Sequence, residues 1–317
     1  MDVWEFIHAK LSATVPVLLL YVLESEGSSP GRKGFKMAVS ADGTFCGTIG
    51  GGIMEHKLVE KAKDILRKNE KSVLLLRQHH DKEHAGNQSG MICSGSQLNA
   101  FIPVSTNAKG IIEAVISGKK TLIELSPQGI RPAKGSAQGL QYKTDADWFY
   151  SEAINEQPVI HIIGGGHVSL ALSELMHFLG FYVNVYDDRQ DLNTMQQNSF
   201  ADEKHSIRGY DEINAFMAPA ENDYVVVISF GYRTDKAAMR QLLKGKFFYL
   251  GLIGSDRKVQ TLFAELKEEG ISAEVLARVH APVGINIYSK TAPEIAVSIA
   301  AEIIREKNKD LSTGRKY

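Results

Sequence analysis

Cysteine is scarce in this chain of 317 residues: there are two, Cys46 and Cys93. Two thiols exclude a secreted disulfide scaffold, a zinc site held by four thiolates and an iron–sulfur cluster with four cysteine ligands from one chain. Long hydrophobic runs are missing too. The longest early one, Val15 to Leu23, is too short to span a bilayer, and Asp2 and Glu5 precede it where a secretory signal would carry positive charge. The chain is therefore expected in the cytoplasm, with no membrane partner. Excess charge of either sign is absent: 36 basic residues face 37 acidic ones, a formal charge of -1, which gives no electrostatic case for nucleic acid. There is no internal repeat and no low-complexity tract. With 44% hydrophobic and 23% charged residues, the chain reads as globular and long enough for two domains.

What the chain does have is glycine in two concentrated places. Gly47-Thr-Ile-Gly-Gly-Gly-Ile-Met-Glu55 lies in the first half and Ile162-Ile-Gly-Gly-Gly-His167 in the second, and each follows a strand-like segment and opens a helix-like one. Without a Cβ, such a loop can take φ > 0 and let an anion approach the amides of a helix start. Two loops of this kind point to a small molecule that bears phosphate.

Around the first loop the pattern predicts a mixed α+β domain. Val17 to Leu23 reads as a strand buried on both faces, and Phe35 to Ser40 with Thr44 to Cys46 as a hairpin turned by Asp42-Gly43. Met54, Leu58, Ala62, Ile65 and Leu66 recur at helical spacing. Val73 to Leu76 and Leu98 to Val104 read as strands, Ile111 to Ile116 as a short helix, and residues 126–155 as a last small hairpin and linker. Beyond 155, strand and helix alternate, which predicts a doubly wound parallel sheet. Its strands are Val159 to Ile163, Tyr182 to Tyr186, Tyr224 to Ser229 and Phe247 to Leu250, and its helices are Val168 to Leu179, Asp235 to Lys244 and a stretch capped by Ser255. Thr291-Ala-Pro-Glu294 has the form of a capping box, and the apolar helix behind it suits a core or a homodimer interface.

Several residues are candidates for chemistry. Gly164, Gly165, Gly166, His167 and Ser169 form a dinucleotide fingerprint, with Asp187 at the end of the next strand, 23 residues beyond Gly164, where an acid would bind ribose. The same pattern fits a Rossmann-like fold whose nucleotide site is altered. Gly254 and Ser255 follow a strand and meet a helix start, offering further amides or a plain turn. Cys93, set among glycine and serine, is either a reactive thiol or an inert one, and Cys46 suits core packing. His79, His80, Asp81 and His84 supply metal-binding donor types in a charge-rich segment that equally suits a solvated loop. Arg32 after Pro30 could clamp an anion or face water.

Taken in order, Gly27-Ser-Ser-Pro30, Met37-Ala-Val39, Asp42-Gly43, the Gly47 to Glu55 loop and Cys93 resemble the amino-terminal domain of the XdhC/CoxI family. Ile163-Gly-Gly-Gly-His167, Asp187-Asp-Arg189, Gly251-Leu-Ile-Gly-Ser255, Ala281-Pro-Val-Gly-Ile285 and the helix from Thr291 to Glu302 resemble its Rossmann-like domain. The resemblance implies an XdhC/CoxI-type domain at 1–125, a connection at 126–155 and a Rossmann-like domain at 156–317. It implies an accessory protein that binds molybdenum cofactor (molybdopterin), supports its sulfuration by a cysteine desulfurase, and delivers it to apo xanthine dehydrogenase or a related molybdenum hydroxylase of purine catabolism. On this reading Ser28, Ser29, Arg32, Gly50, Gly51, Gly52 and Glu55 hold the cofactor, Cys93 its metal end, and the Gly164 loop a phosphate or a nucleotide such as NAD. The competing classes are an NAD(P)-dependent oxidoreductase using Asp187 and His167, a non-catalytic subunit of a xanthine dehydrogenase complex, and a metal-dependent hydrolase built on His79 to His84.

Overall fold

A computed structural model describes residues 1–79, 95–217 and 220–309. The chain divides into two compact units, one reaching Glu156 and the other beginning at Gln157.

The first unit opens with helix α1 (Val3–Ser12), started by a capping box in which Asp2 accepts from the Trp4 amide and Glu5 from the Asp2 amide. Strands β1 (Val17–Gly27), β2 (Lys36–Ser40) and β3 (Phe45–Thr48) follow, then helix α2 (Gly52–Arg67), strands β4 (Leu74–His79) and β5 (Gly95–Pro103), and helix α3 (Lys109–Ile116). The five strands form one antiparallel sheet in the order β3-β2-β1-β5-β4. Strand β1 is central and apolar on both faces, as its composition predicts. Val17, Leu19, Tyr21 and Leu23 join a core with α1 and α3, while Leu18, Leu20 and Val22 pack with Leu58, Ala62 and Ile65 of α2. Full burial of each such side chain contributes roughly 1.5–3 kcal/mol, so this strand anchors the unit.

Residues 126–155 are not a hairpin and linker. Strands β6 (Thr121–Ser126), β7 (Gly129–Pro132), β8 (Gly139–Thr144) and β9 (Asp147–Ile154) build a second antiparallel sheet, ordered β7-β6-β9-β8. The physical reason lies in β9: Trp148 and Tyr150 alternate inward, and with Ile154 they are buried in the same core as α1 and α3. Turn-forming residues on either side obscure this short period-two signal.

The second unit alternates β10 (Val159–Ile163), α4 (His167–Phe178), β11 (Tyr182–Asp187), α5 (Asn193–Gln197), β12 (Glu203–Ser206), α6 (Ile213–Phe216), β13 (Tyr224–Val227), α7 (Tyr232–Leu242), β14 (Tyr249–Leu252), α8 (Asp256–Glu268), α9 (Ala273–Leu276) and α10 (Ala292–Lys309). Its parallel sheet runs β12-β11-β10-β13-β14, the doubly wound order whose chain direction switches between β10 and β13. Ile160 and Ile162 face the core that contains residues of α4 and α10, whereas Ile163, Val225 and Val227 face the side of α7 and α8. The expected caps are present: Ser255 accepts from the Lys258 amide, and Thr291 and Glu294 exchange side-chain and backbone bonds at the start of α10. Strand β12 has no apolar run to announce it, because it is a polar edge strand.

Candidate functional site

In the first unit, three separate segments meet. Gly31, Gly50 and Gly95 are packed so closely that side chains would not fit: a Cβ on Gly31 would lie 2.3 Å from the Ile49 carbonyl oxygen, one on Gly50 2.6 Å from the Gly31 nitrogen, and one on Gly95 2.8 Å from the Ser29 nitrogen. The turn Ser28–Gly31, the loop before α2 and the first residue of β5 therefore form one knot. Gln97 of β5, fully buried, ties it. Its side-chain oxygen accepts from the Ser29 hydroxyl (3.0 Å) and the Gly31 amide (3.2 Å), while its side-chain nitrogen donates to the Ile49 carbonyl (3.1 Å) and to Asn99 (2.6 Å).

Beyond the knot, Gly51 and Gly52 leave the packed surface. Both have positive φ (+73° and +72°), and a Cβ at either would meet nothing within 4 Å. Gly51 caps α2 with no side-chain bond. One carboxylate already uses this loop: Glu55 accepts from the amides of Ile49 and Gly51, each at 3.0 Å, and from the Thr48 hydroxyl at 2.5 Å. Its donors are all neutral. The sequence-predicted residues thus divide. Ser29 is spent inside the fold, Ser28 lies at the surface, and Arg32 is exposed with its guanidinium 3.4 Å from the Gly27 carbonyl oxygen. Gly50 is a packing position, whereas Gly51 and Gly52 border open space and Glu55 is half-buried with its carboxylate bonded to the loop. Cys93 lies outside the described residues, two positions before Gly95 in sequence. Cys46 packs partly buried against the core, as expected.

The second loop is arranged differently. Gly164 takes φ +116° and packs against β13, where a Cβ would lie 2.5 Å from the Ile228 carbonyl oxygen. Asp187, wholly buried, turns into the loop rather than away from it. One carboxylate oxygen accepts from the Gly165 amide (2.6 Å) and Arg189 Nη2 (2.7 Å), the other from the Arg189 amide (2.9 Å) and Nε (2.8 Å). Four donors fill what a carboxylate can accept. Burial alone would raise this carboxyl, but the Arg189 guanidinium and the two amides hold it below its ordinary value. Thr194 closes the other side by donating to the Gly165 carbonyl, and Arg189 lies over the Phe230 ring at 4.7 Å. Gly166 and His167 begin α4 without a side-chain cap, and His167 is exposed. Gly254 packs beside Lys258, and Ser255 serves as the cap of α8.

Of the metal-site candidates, His80, Asp81 and His84 lie outside the described residues; among the described residues no group of three or more His, Cys, Asp or Glu side chains is placed to hold a metal. Sequence reading missed Gln97, Thr48 and the internal role of Arg189. The available signal for Gln97 was the alternation of polar residues, Gln97 and Asn99, at the head of an otherwise apolar strand.

A doubly wound unit with a glycine loop at its switch point, preceded by a mixed α+β unit with its own glycine loop, defines a two-part architecture that known proteins share. The family model described as XdhC and CoxI family matches residues 11–77, and that described as XdhC Rossmann domain matches residues 160–303. The chain belongs to the XdhC and CoxI family. YqeB of Escherichia coli (strain K12), described as an uncharacterized protein, is 28% identical over 294 residues, which is 92% of this chain and 44% of that protein. A protein of Bacillus subtilis (strain 168), described as a probable subunit of xanthine dehydrogenase, is 26% identical over 160 residues, 50% of this chain and 46% of that one. The chain thus matches less than half the length of either curated relative. A crystal structure described as a xanthine dehydrogenase from Bacillus halodurans shares the fold, with a TM-score of 0.67 at 21% identity, covering 99% of this chain and 98% of that one.

Proposed function

We propose that this protein is an accessory factor of xanthine dehydrogenase or a related molybdenum hydroxylase, and that it carries molybdenum cofactor as cargo rather than oxidising substrate itself. Two cysteines cannot supply the iron–sulfur ligands such an oxidation needs, so a partner enzyme performs the redox chemistry. A cysteine desulfurase is the proposed sulfur source.

The observation that supports this reading is the knot in the first unit, which leaves the backbone of Gly51 and Gly52 open beside a loop that already accommodates a carboxylate. The cargo is a pterin with a terminal phosphate, and backbone amides at a helix start suit that group. Gly52 would hold the phosphate end, joined by Gly51 where the phosphate takes the place of the Glu55 carboxylate on its amide. Cys93, two residues before the start of β5 in sequence, is proposed to hold the metal end as a thiolate. The names of the Bacillus relatives, both referring to xanthine dehydrogenase, favour that class of recipient. The test is co-elution of oxidised pterin fluorescence with the purified protein, alongside Cys93→Ala and a sample with excess NAD. Stoichiometric pterin that Cys93→Ala loses is the expected result; saturable NAD binding with no pterin would replace this reading with that of a dehydrogenase.

A further inference from the structure

We propose that Gln97 is a positioning residue that sets the distance between the Ser28–Gly31 turn and the Ile49–Gly52 loop, and so fixes the geometry of the cofactor-holding face. The inference rests on the cargo reading above.

Every hydrogen-bonding position of this carboxamide is used. Its oxygen takes two donors from the turn, Ser29 and Gly31, and its nitrogen gives one bond to the Ile49 carbonyl of the loop and one to Asn99. The orientation is dictated by these partners, since a flipped amide would set donor against donor on one side and acceptor against acceptor on the other. The turn and the loop are far apart in sequence, and this one side chain bonds to both. Asn99 extends the chain to β4, where its nitrogen lies 3.4 Å from the Gln78 side-chain oxygen, so the carboxamide is itself held from behind. Gln97, Asn99 and Gln78 are buried to at least 97%. Buried amides of this kind must be fully paired, and here the pairing joins two loops rather than two strands. The glycines complete the device: the close approach of Gly31 to Ile49 leaves no room for the loops to slide.

Two substitutions separate the two halves of the network. Gln97→Leu removes all four bonds at similar volume. Gln97→Glu keeps an acceptor toward Ser29 and Gly31 but faces the Ile49 carbonyl with a second acceptor. Hydrogen exchange on the full chain, with and without molybdopterin, reads the outcome. In Gln97→Leu, the amides of Ser29 and Gly31 and those at 49–52 should all exchange about tenfold faster while β1 and the second unit stay unchanged, and cofactor retention should fall about tenfold. In Gln97→Glu, only 49–52 should loosen. Wild-type exchange in both loops of Gln97→Leu, or undiminished joint protection by the cofactor, would overturn the proposal. Should Gln97→Leu not fold, Ser29→Ala removes one bond and should weaken retention about threefold; no weakening would count against the proposal. A wild-type protein that retains no cofactor refutes the cargo reading, while the exchange of the unliganded variants still decides the role of Gln97.

Discussion

In the first unit the loop carboxylate is Glu55, half-buried and held by two amides and a hydroxyl; in the second it is Asp187, wholly buried and held by two amides and a bidentate guanidinium. Both carboxylates accept charge-assisted bonds, but only Asp187 also has a cationic, bidentate partner, so the two loops differ in how readily an outside anion can take the place of the resident one. Beside Glu55 the backbone opens onto empty space at Gly51 and Gly52. Around Asp187, Leu192, Met195 and Thr194 crowd Gly165. A glycine-rich loop before a helix is thus not one thing: the first has the makings of an exchangeable site, while the second spends its amide and its acid on its own architecture.

The largest expected contrast comes from adding a single methyl group. Gly164→Ala would place a Cβ against the Ile228 carbonyl at φ +116°, and should destabilise the second unit by about 3 kcal/mol. Gly51→Ala, with open space and φ +73°, should cost the first unit only about 1 kcal/mol. Denaturant unfolding of the full chain, with probes in each unit, measures both; equal costs would erase the distinction.

Removing the resident charges sharpens it. Asp187→Asn strands the Arg189 guanidinium and should cost about 2 kcal/mol, against about 1 kcal/mol for Glu55→Gln, whose partners are neutral. Since the Asp187 carboxyl is held below its ordinary value of 3.8, its stabilisation is fully present above that pH and is lost as pH falls through the lower folded value. The gap between wild type and Asp187→Asn should therefore close below about pH 3.8. A gap that widened toward acid would mean that the ion pair is not what holds Asp187.

A smaller effect should follow from vacating the first loop. Glu55→Ala leaves the Ile49 and Gly51 amides free for an outside anion, and inorganic phosphate should slow their exchange about threefold more in the variant than in the wild type. No difference would mean that Glu55 does not occupy an anion site. Smallest of all, Gly166→Ala has φ -74° and no neighbour within 4 Å, and should change the stability of the second unit by less than about 0.5 kcal/mol, because the entropy removed from the unfolded chain is offset by the poorer capping of α4 by alanine.

Periodic segments were legible in advance. Leu18 to Val22 and the stripe from Met54 to Ile65 specify a buried strand and a packed helix through spacing alone, and the caps at Ser255 and Thr291 act within a few residues. Residues 126–155 were not legible, because Trp148 and Tyr150 carry the signal in a strand too short to outweigh the turn residues around it. At the site, the glycines announced both loops, but not which carboxylate would fill them. Glu55 reaches its amides from one turn into a helix, and Asp187 reaches Gly165 across neighbouring strands; the second contact depends on the register of β10 against β11. Gln97 stayed hidden for the same reason, since its four partners come from three different parts of the chain, the Ser28–Gly31 turn, the loop at Ile49 and β5 itself.

The difference between the two loops bears most directly on the proposal that the first of them carries molybdenum cofactor. The measurement is pterin bound per protein in Gly51→Val and Gly166→Val, each confirmed as folded by its unfolding transition. The predicted result is loss of pterin in Gly51→Val and full retention in Gly166→Val; retention in the first and loss in the second would contradict it.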